Sequence, residues 1–255
     1  MPRTVALGEH RLTRVGLGTN RLSDTPENRS FLEAAAATDL NFIDTAHLYA
    51  GGESERVIGS ALASFADDLV VGTKGGYNEG VGVEGLRGEL EQSFERLGVE
   101  TIGLYYLHRV HPDLEVEEAM GLLKEYRDAG RITHIGVSEV TVEQIERART
   151  LVPVAAVQND YSVTQRKHDE VVDYCEEHGI VFVPFFPLRG ADPPALAEIA
   201  GGHGATEGQI KLAWLLKRSP VVAPIPGTLS LEHLKENLAA LEIELSDEEF
   251  ERLSS

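Results

Sequence analysis

Residues 40–62 read LNFIDTAHLYAGGESERVIGSAL. The stretch opens on a short apolar run that closes in a carboxylate, Asp44, and then crosses a turn carrying His47 and Tyr49. It passes through Gly51 and Gly52 into an amphipathic segment that begins near Glu53. An apolar run, a polar turn, a glycine pair and a helical period, in that order, spell strand, loop and helix.

The same grammar repeats outward in both directions. Upstream, TVALGEHRL (4–12) reads as a hairpin with Gly8 at its turn, followed by the first strand proper, LTRVGLGTN, and the helix ENRSFLEAAAATD. The quoted unit itself runs from NFIDT to SERVIGSALASF. Downstream, LVVGTKGG leads to GLRGELEQSFERLG, IGLYYLH to VEEAMGLLKEYRDAG, THIGVS to TVEQIERARTLV, and AAVQNDYS to KHDEVVDYCEEHG. IVFVPFFPL then precedes PALAEIAGGHG and EGQIKLAWLLKRS, and VVAPIPG precedes LEHLKENLAAL, which makes eight strand–helix units. The apolar runs are continuous, the pattern of parallel strands covered on both faces. Eight of them in 255 residues fit an α/β fold of the (β/α)8 TIM-barrel type. An open doubly wound sheet fits less well, because GLGTN lacks the GxGxxG fingerprint. No linker, repeat or low-complexity segment interrupts the series, so a single domain over 1–255 is expected, with the hairpin closing the barrel bottom.

Composition narrows the function. Hydrophobic residues make up 42% of the chain, enough for a sizeable core. A net charge of −19 repels phosphate and argues against nucleic acid or an anionic membrane as partner. The acids are spread over predicted helices, which reads as a solvated surface. Cys175 is alone and sits on the inner face of a predicted helix, so it reads as a buried structural thiol. No signal peptide and no membrane-spanning apolar run are read, and a cytoplasmic location is expected.

In such a barrel the chemistry lies at the C-terminal ends of the strands. The residues closing the apolar runs are Thr19 and Asn20, Asp44, Lys74, His108, Ser138, Gln158 and Asn159, Phe185 and Phe186, and Gly227 and Thr228. Asp44, Lys74 and His108 fall at matching points of strands two, three and four, and Tyr49 hangs over the same mouth. Each alone has a structural reading: an Asp that caps a helix, a packed His, a Lys that reaches solvent. Together they describe proton donation to a developing alkoxide. A phenol is a poor acid until a neighbouring ammonium stabilises the phenolate, Asp44 can hold that ammonium, and His108 can donate to the same oxygen. Making an alkoxide from a carbonyl needs a hydride, which no side chain supplies, so a nicotinamide cofactor is implied.

Other conspicuous residues read as structure. Trp214 lies among apolar residues at helical spacing, His134 sits at the bottom end of a strand, and Glu117 and Glu118 occupy an exposed first helical turn. No HExxH or CxxC spacing occurs, so no metal site is expected.

The ordered set NFIDTAHLYAGGESE, VVGTKGG, LYYLHR, THIGVS, VQNDYS, FFPL and PIPGT with EHLKEN resembles the aldo-keto reductases over essentially the whole chain. The resemblance implies NADPH-dependent carbonyl reduction on a (β/α)8 barrel with Asp44, Tyr49, Lys74 and His108 as the catalytic tetrad. It further implies that Ser138 and Gln158 bond the nicotinamide carboxamide, Phe185 stacks on its ring, and Pro187, Leu188, Arg189 and Gly190 wrap the pyrophosphate. Gly227, Thr228, His233, Glu236 and Asn237 would hold the adenosine end, with Thr19, Asn20 and Asp44 completing the cofactor set. Two positions depart from the family pattern: Glu139 stands where Asn is common after the serine, and Arg189 where Gly is common. NADPH is the expected cofactor, with NADH tolerated, because the cations near the 2′-phosphate position are His233 and Lys235, beside the hydroxyls of Thr228 and Ser230.

With LSDEEFERL as the chain's last stretch, the resemblance implies that the long C-terminal loop of many relatives is missing, and a pocket open at its rim is expected. Asn20, His47, Tyr77, His111 and Phe186 are the expected wall, suited to a flat polar substrate. The PFFPL strand and short length resemble a small bacterial subgroup that includes pyridoxal reductases. A small-molecule carbonyl partner is expected, pyridoxal or another small aldehyde, and a monomer is compatible. The alternative reading is an NADP-binding regulatory subunit with little turnover.

Overall fold

The computed structural model describes residues 2–64 and 66–255. Phe65, the end of the helix expected over SERVIGSALASF, lies outside the described residues. The chain opens on a hairpin of β1 (Thr4–Leu7) and β2 (His10–Thr13), turning at Gly8, whose φ of 58° is in the left-handed region. Seven parallel strands follow in sequence order: β3 (Leu17–Gly18), β4 (Phe42–Asp44), β5 (Val70–Gly75), β6 (Ile102–Leu107), β7 (Ile132–Ser138), β8 (Val154–Gln158) and β9 (Val181–Phe182). The helices that cover them are α1 (Pro26–Ala35), α2 (Glu53–Ala61), α3 (Gly82–Leu97), α4 (Val116–Asp128) and α5 (Val142–Arg149). They continue as α6 (Asp169–His178), α7 (Leu196–His203), α8 (Glu207–Arg218), α9 (Leu231–Ala239) and α10 (Asp247–Ser254).

The eighth stave is VVAPIPG. It bridges β9 through Phe182 and Val222, and β3 through Gly18 and Gly227, which closes the ring. Ala223 N donates to Phe182 O at 2.8 Å on one side, and Gly16 N donates to Pro224 O at 2.9 Å on the other. Pro224 and Pro226 have no N–H, so the stave cannot complete a regular ladder, and the opening strand beside it is correspondingly only two residues long. The expected eight-stranded closure is present, with its last strand reduced to bridges.

Strand parity separates two cores. Val5, Leu7 and Leu12 of the hairpin pack with Phe42, Leu104, Tyr106, Ala156 and Val181 inside the barrel, so the hairpin plugs the bottom. The alternate residues, among them Ile43, Tyr105, Val137 and Val157, pack outward against the helices. His134 meets His10 of the hairpin at this lower end, ring nitrogen to ring nitrogen at 3.2 Å. Arg14 is fully buried there as well. It donates to the carbonyls of Val222, Leu216 and Ser219, and burial pushes its pKa down to about 10.

Local sequence sets several boundaries. Thr25 caps α1 just before Pro26, and Thr206 with Gln209 and Ser246 with Glu249 form capping boxes on α8 and α10. The last helix packs Phe250 on Trp214 with ring centroids 5.3 Å apart, which confirms the tryptophan as core. Cys175 is buried, its thiol pushed up to about 12 by burial. Glu117 and Glu118 stand in the first turn of α4 as expected, and the Glu117 carboxylate also accepts two hydrogen bonds from Arg147 of α5, each 2.6 Å.

Candidate active site

Asp44, Lys74 and His108 reach the upper rim on adjacent strands. Asp44 pairs with Gly72 and Lys74 with Tyr106, so each successive group stands two residues further along than its neighbour's partner. This stagger is the shear of tilted barrel strands. It keeps all three on the inward parity. Lys74 is 0% exposed. Its Nζ donates to Asp44 Oδ1 at 2.6 Å and to Thr45 O at 2.5 Å, and lies 5.8 Å from the Tyr106 ring centroid. That ring fits because residue 136 is glycine: a Cβ there would stand 2.4 Å from it.

Tyr49 arrives on the loop after β4. Ala50, Gly51 and Gly52 all have positive φ, 48°, 63° and 90°, which turns the chain sharply into α2. Gly52 also lacks room for a side chain, since a Cβ would lie 2.3 Å from the Arg96 guanidinium. Arg96 in turn donates to His47 O at 3.0 Å and to the buried Glu55 carboxylate at 3.3 Å, and Thr73 donates to Glu55 at 2.6 Å. This network ties the loop to α3 and β5. The Tyr49 ring is held 5.1 Å from Lys74 Nζ and edge-on to His108, centroids 6.2 Å apart.

The electrostatics sharpen the roles available. Burial raises the Tyr49 pKa and outweighs the opposing pull of the Lys74 ammonium, so the phenol keeps its proton at neutral pH. Burial, with Lys74 and Arg109 nearby, drives His108 well below the usual imidazole range, so its ring is neutral; its Nδ1 is buried with no hydrogen-bond partner among the described residues. Burial also raises the Asp44 carboxyl, against the pull of Lys74. Asp44 nevertheless accepts from two donors, Lys74 and Gln158 Nε2 at 2.7 Å, the bonding of a carboxylate.

A cleft of about 360 Å³ opens over this group. Thr19, Asn20, Asp44, Tyr49, Tyr77, His108, Ser138, Gln158, Phe185, Phe186, Pro187 and Gly227 all line it. Leu48, Tyr77 and Phe186 form an exposed apolar rim. His47 does not face the cleft: its ring turns outward to Gln92 of α3 at 3.1 Å. His111 also stands behind the wall, bonding Tyr77 O at 2.7 Å.

Leu188, Arg189, Gly190, Thr228, His233, Glu236 and Asn237 lie outside the cleft lining, on the loops after β9 and the eighth stave and on α9. Arg189 pairs with Asp160 and lies 4.4 Å from the Phe186 ring centroid. Thr228 Oγ1 accepts from Ser230 N at 3.0 Å, and Ser230 caps α9. Glu139, at φ 54°, turns to the next loop, where its carboxylate accepts from Asp160 N at 2.6 Å. Burial works to raise it, but His168, that amide and Lys167 together hold it at about 2. Arg109 and Arg21 line the cleft without having been singled out in the sequence.

Residues 14–255 match the model of the Aldo/keto reductase family. The chain belongs to this family of oxidoreductases. It is 34% identical to pyridoxine 4-dehydrogenase of Escherichia coli (strain K12) over 271 residues, covering 96% of this chain and 95% of that protein. A thermostable aldo-keto reductase solved with the inhibitor epalrestat superposes with a TM-score of 0.91 at 31% identity, over 98% of each chain. An aldo/keto reductase from Klebsiella pneumoniae, solved with NADP and acetate, gives a TM-score of 0.89 at 28% identity, over 99% of this chain and 94% of that one. For an aldo-keto reductase, the rim carrying Asp44, Tyr49, Lys74 and His108 is the natural candidate centre, and the cleft above it is large enough for a small ligand.

Proposed function

We propose that this aldo-keto reductase converts a small aldehyde or ketone to the alcohol with NADPH, and that Tyr49 is the proton donor. The observation that carries the reading is the placement of a protonated phenol over a buried Lys74–Asp44 pair, beside a neutral His108, at the floor of one open cleft.

The donor set suits a nicotinamide. Ser138 and Gln158 present a hydroxyl and an amide next to the Phe185 ring. Gln158 Nε2 is committed to Asp44, while its Oε1 makes no protein hydrogen bond among the described residues and is free to accept from a carboxamide. NADP in the Klebsiella relative supports the same choice of cofactor. When bound, NADPH supplies the hydride.

The chain's own residues handle the oxygen. Tyr49 gives its phenolic proton to the carbonyl oxygen as negative charge develops there. The Lys74 ammonium beneath the ring stabilises the phenolate left behind, and Asp44 keeps that ammonium charged and placed. Neutral His108 can offer an N–H to the same oxygen, and its buried Nδ1 has no hydrogen-bond partner among the described residues. The name of the Escherichia coli relative makes pyridoxal a natural first substrate.

The test is to mix purified protein with NADPH and a panel of aldehydes that includes pyridoxal. Oxidation of NADPH with formation of the matching alcohol is the expected result. Tight NADPH binding with no oxidation on any aldehyde would overturn the reading and favour a nucleotide-sensing subunit.

A further inference from the structure

Arg109 follows His108 directly and lines the cleft. Its guanidinium is held between two rings, 5.3 Å from the Tyr77 centroid and 5.8 Å from that of Phe185. Nη1 donates to His108 O at 2.8 Å and to Ser138 Oγ at 3.2 Å. No protein acceptor meets its remaining N–H groups among the described residues, and no carboxylate pairs with it.

Other arginines, Arg11 and Arg166 among them, also have no carboxylate partner among the described residues, but Arg109 differs from those in lining the cleft with its guanidinium near two rings. Acidic residues outnumber Lys and Arg by 42 to 23, and Arg29, Arg87, Arg131, Arg147 and Arg252 each have a carboxylate partner. Asp44 is the acid lining the cleft, and it is engaged by Lys74 and Gln158. The mouth is therefore locally cationic in a protein whose net charge of −19 repels anions in general. The other cation lining the cleft, Arg21, is exposed and, unlike Arg109, lies over no aromatic ring among the described residues.

We propose that Arg109 selects the substrate by anchoring a carboxylate on the carbonyl compound, so that the enzyme prefers anionic aldehydes. This rests on the reductase reading above. A guanidinium suits the task because its planar fork offers several donors to one carboxylate, and the flanking rings hold it in place before the ligand arrives. Charge-assisted hydrogen bonds of this kind are worth roughly a tenfold to hundredfold difference in binding.

The test compares 4-carboxybenzaldehyde with benzaldehyde in NADPH-dependent turnover by the wild type, Arg109→Met and Arg109→Lys. The wild type is expected to favour the charged aldehyde. In Arg109→Met the ratio of the two kcat/KM values falls about tenfold or more, mainly through KM, and Arg109→Lys recovers part of it. Calorimetric binding of the product, 4-carboxybenzyl alcohol, to the NADP-loaded protein gives a readout independent of turnover, and weakens in parallel.

An unchanged ratio in Arg109→Met would overturn the proposal. So would an equal loss for both aldehydes, or a loss matched by weaker NADPH binding, which would assign Arg109 to the cofactor. If neither aldehyde oxidises NADPH while product binding still depends on Arg109, the reductase reading fails and the anchor stands. If NADPH is oxidised but neither ratio nor binding responds, the anchor fails alone.

Discussion

Lys74 Nζ and Asp44 Oδ1 are 2.6 Å apart and almost completely shielded from solvent, with the Tyr49 ring centroid 5.1 Å from the same nitrogen. A buried ion pair contributes little net stability as a pair, but removing one partner strands a charge. Asp44→Asn and Lys74→Met should each cost about 3–5 kcal/mol in urea unfolding. The double variant should cost less than the sum, since no lone charge remains. Simple additivity would mean that the two residues do not act as a pair.

Burial rather than Lys74 dominates the Tyr49 phenol, whose pKa lies above the ordinary 10.0. The acid form is therefore present at neutral pH and lost only as pH rises through that elevated value. The kcat/KM profile for carbonyl reduction should hold through neutral pH and fall on its alkaline side only as pH rises through that elevated value. A fall near neutrality would show that the ammonium outweighs burial.

The turn that delivers Tyr49 passes through Gly52 in the left-handed region, against the Arg96 guanidinium. Gly52→Ala puts a side chain at a φ of 90° and displaces the Arg96 guanidinium from its bonds to His47 O and Glu55. It should lower stability by roughly 1–3 kcal/mol. It should also depress kcat, while NADPH affinity, read by fluorescence titration, is retained. An alanine variant with unchanged unfolding and turnover would show that the loop is not held this way.

Glu139 ties the loop after β7 to the loop after β8. Its folded pKa of about 2 lies below the ordinary 4.5, so its contribution is present above 4.5 and is lost as pH falls from there toward 2. Melting temperatures across that window should fall more steeply for the wild type than for Glu139→Gln. Parallel curves would remove Glu139 from the acid sensitivity.

The periodic part of the fold was legible because each strand–helix unit announces itself locally. The staves NFID, VVGTKG and IGLYYLH could be aligned, and with them Asp44, Lys74 and His108. The two-residue stagger between them was not readable, because shear is a property of the closed ring. His47 could have been excluded from the cleft: its amide continues the β4–β5 ladder by donating to Lys74 O, so strand parity sends it outward, opposite to Asp44. Arg109 escaped for the opposite reason. It follows the inward-facing His108 at a position parity would turn outward, but lies beyond the strand end, where the loop returns it to the cleft. The last helix, Asp247–Ser254, has a local signal of its own in the capping box of Ser246 and Glu249.

The central claim is that Tyr49 is the proton donor to a carbonyl, and the most direct measurement is single-turnover NADPH oxidation by Tyr49→Phe beside a separate NADPH titration. The account predicts that the rate falls by roughly 10²–10⁴ while NADPH affinity is retained, because the acid is removed and the nucleotide site is left intact. Turnover at the wild-type rate, or a loss of NADPH affinity equal to the loss of rate, would contradict it.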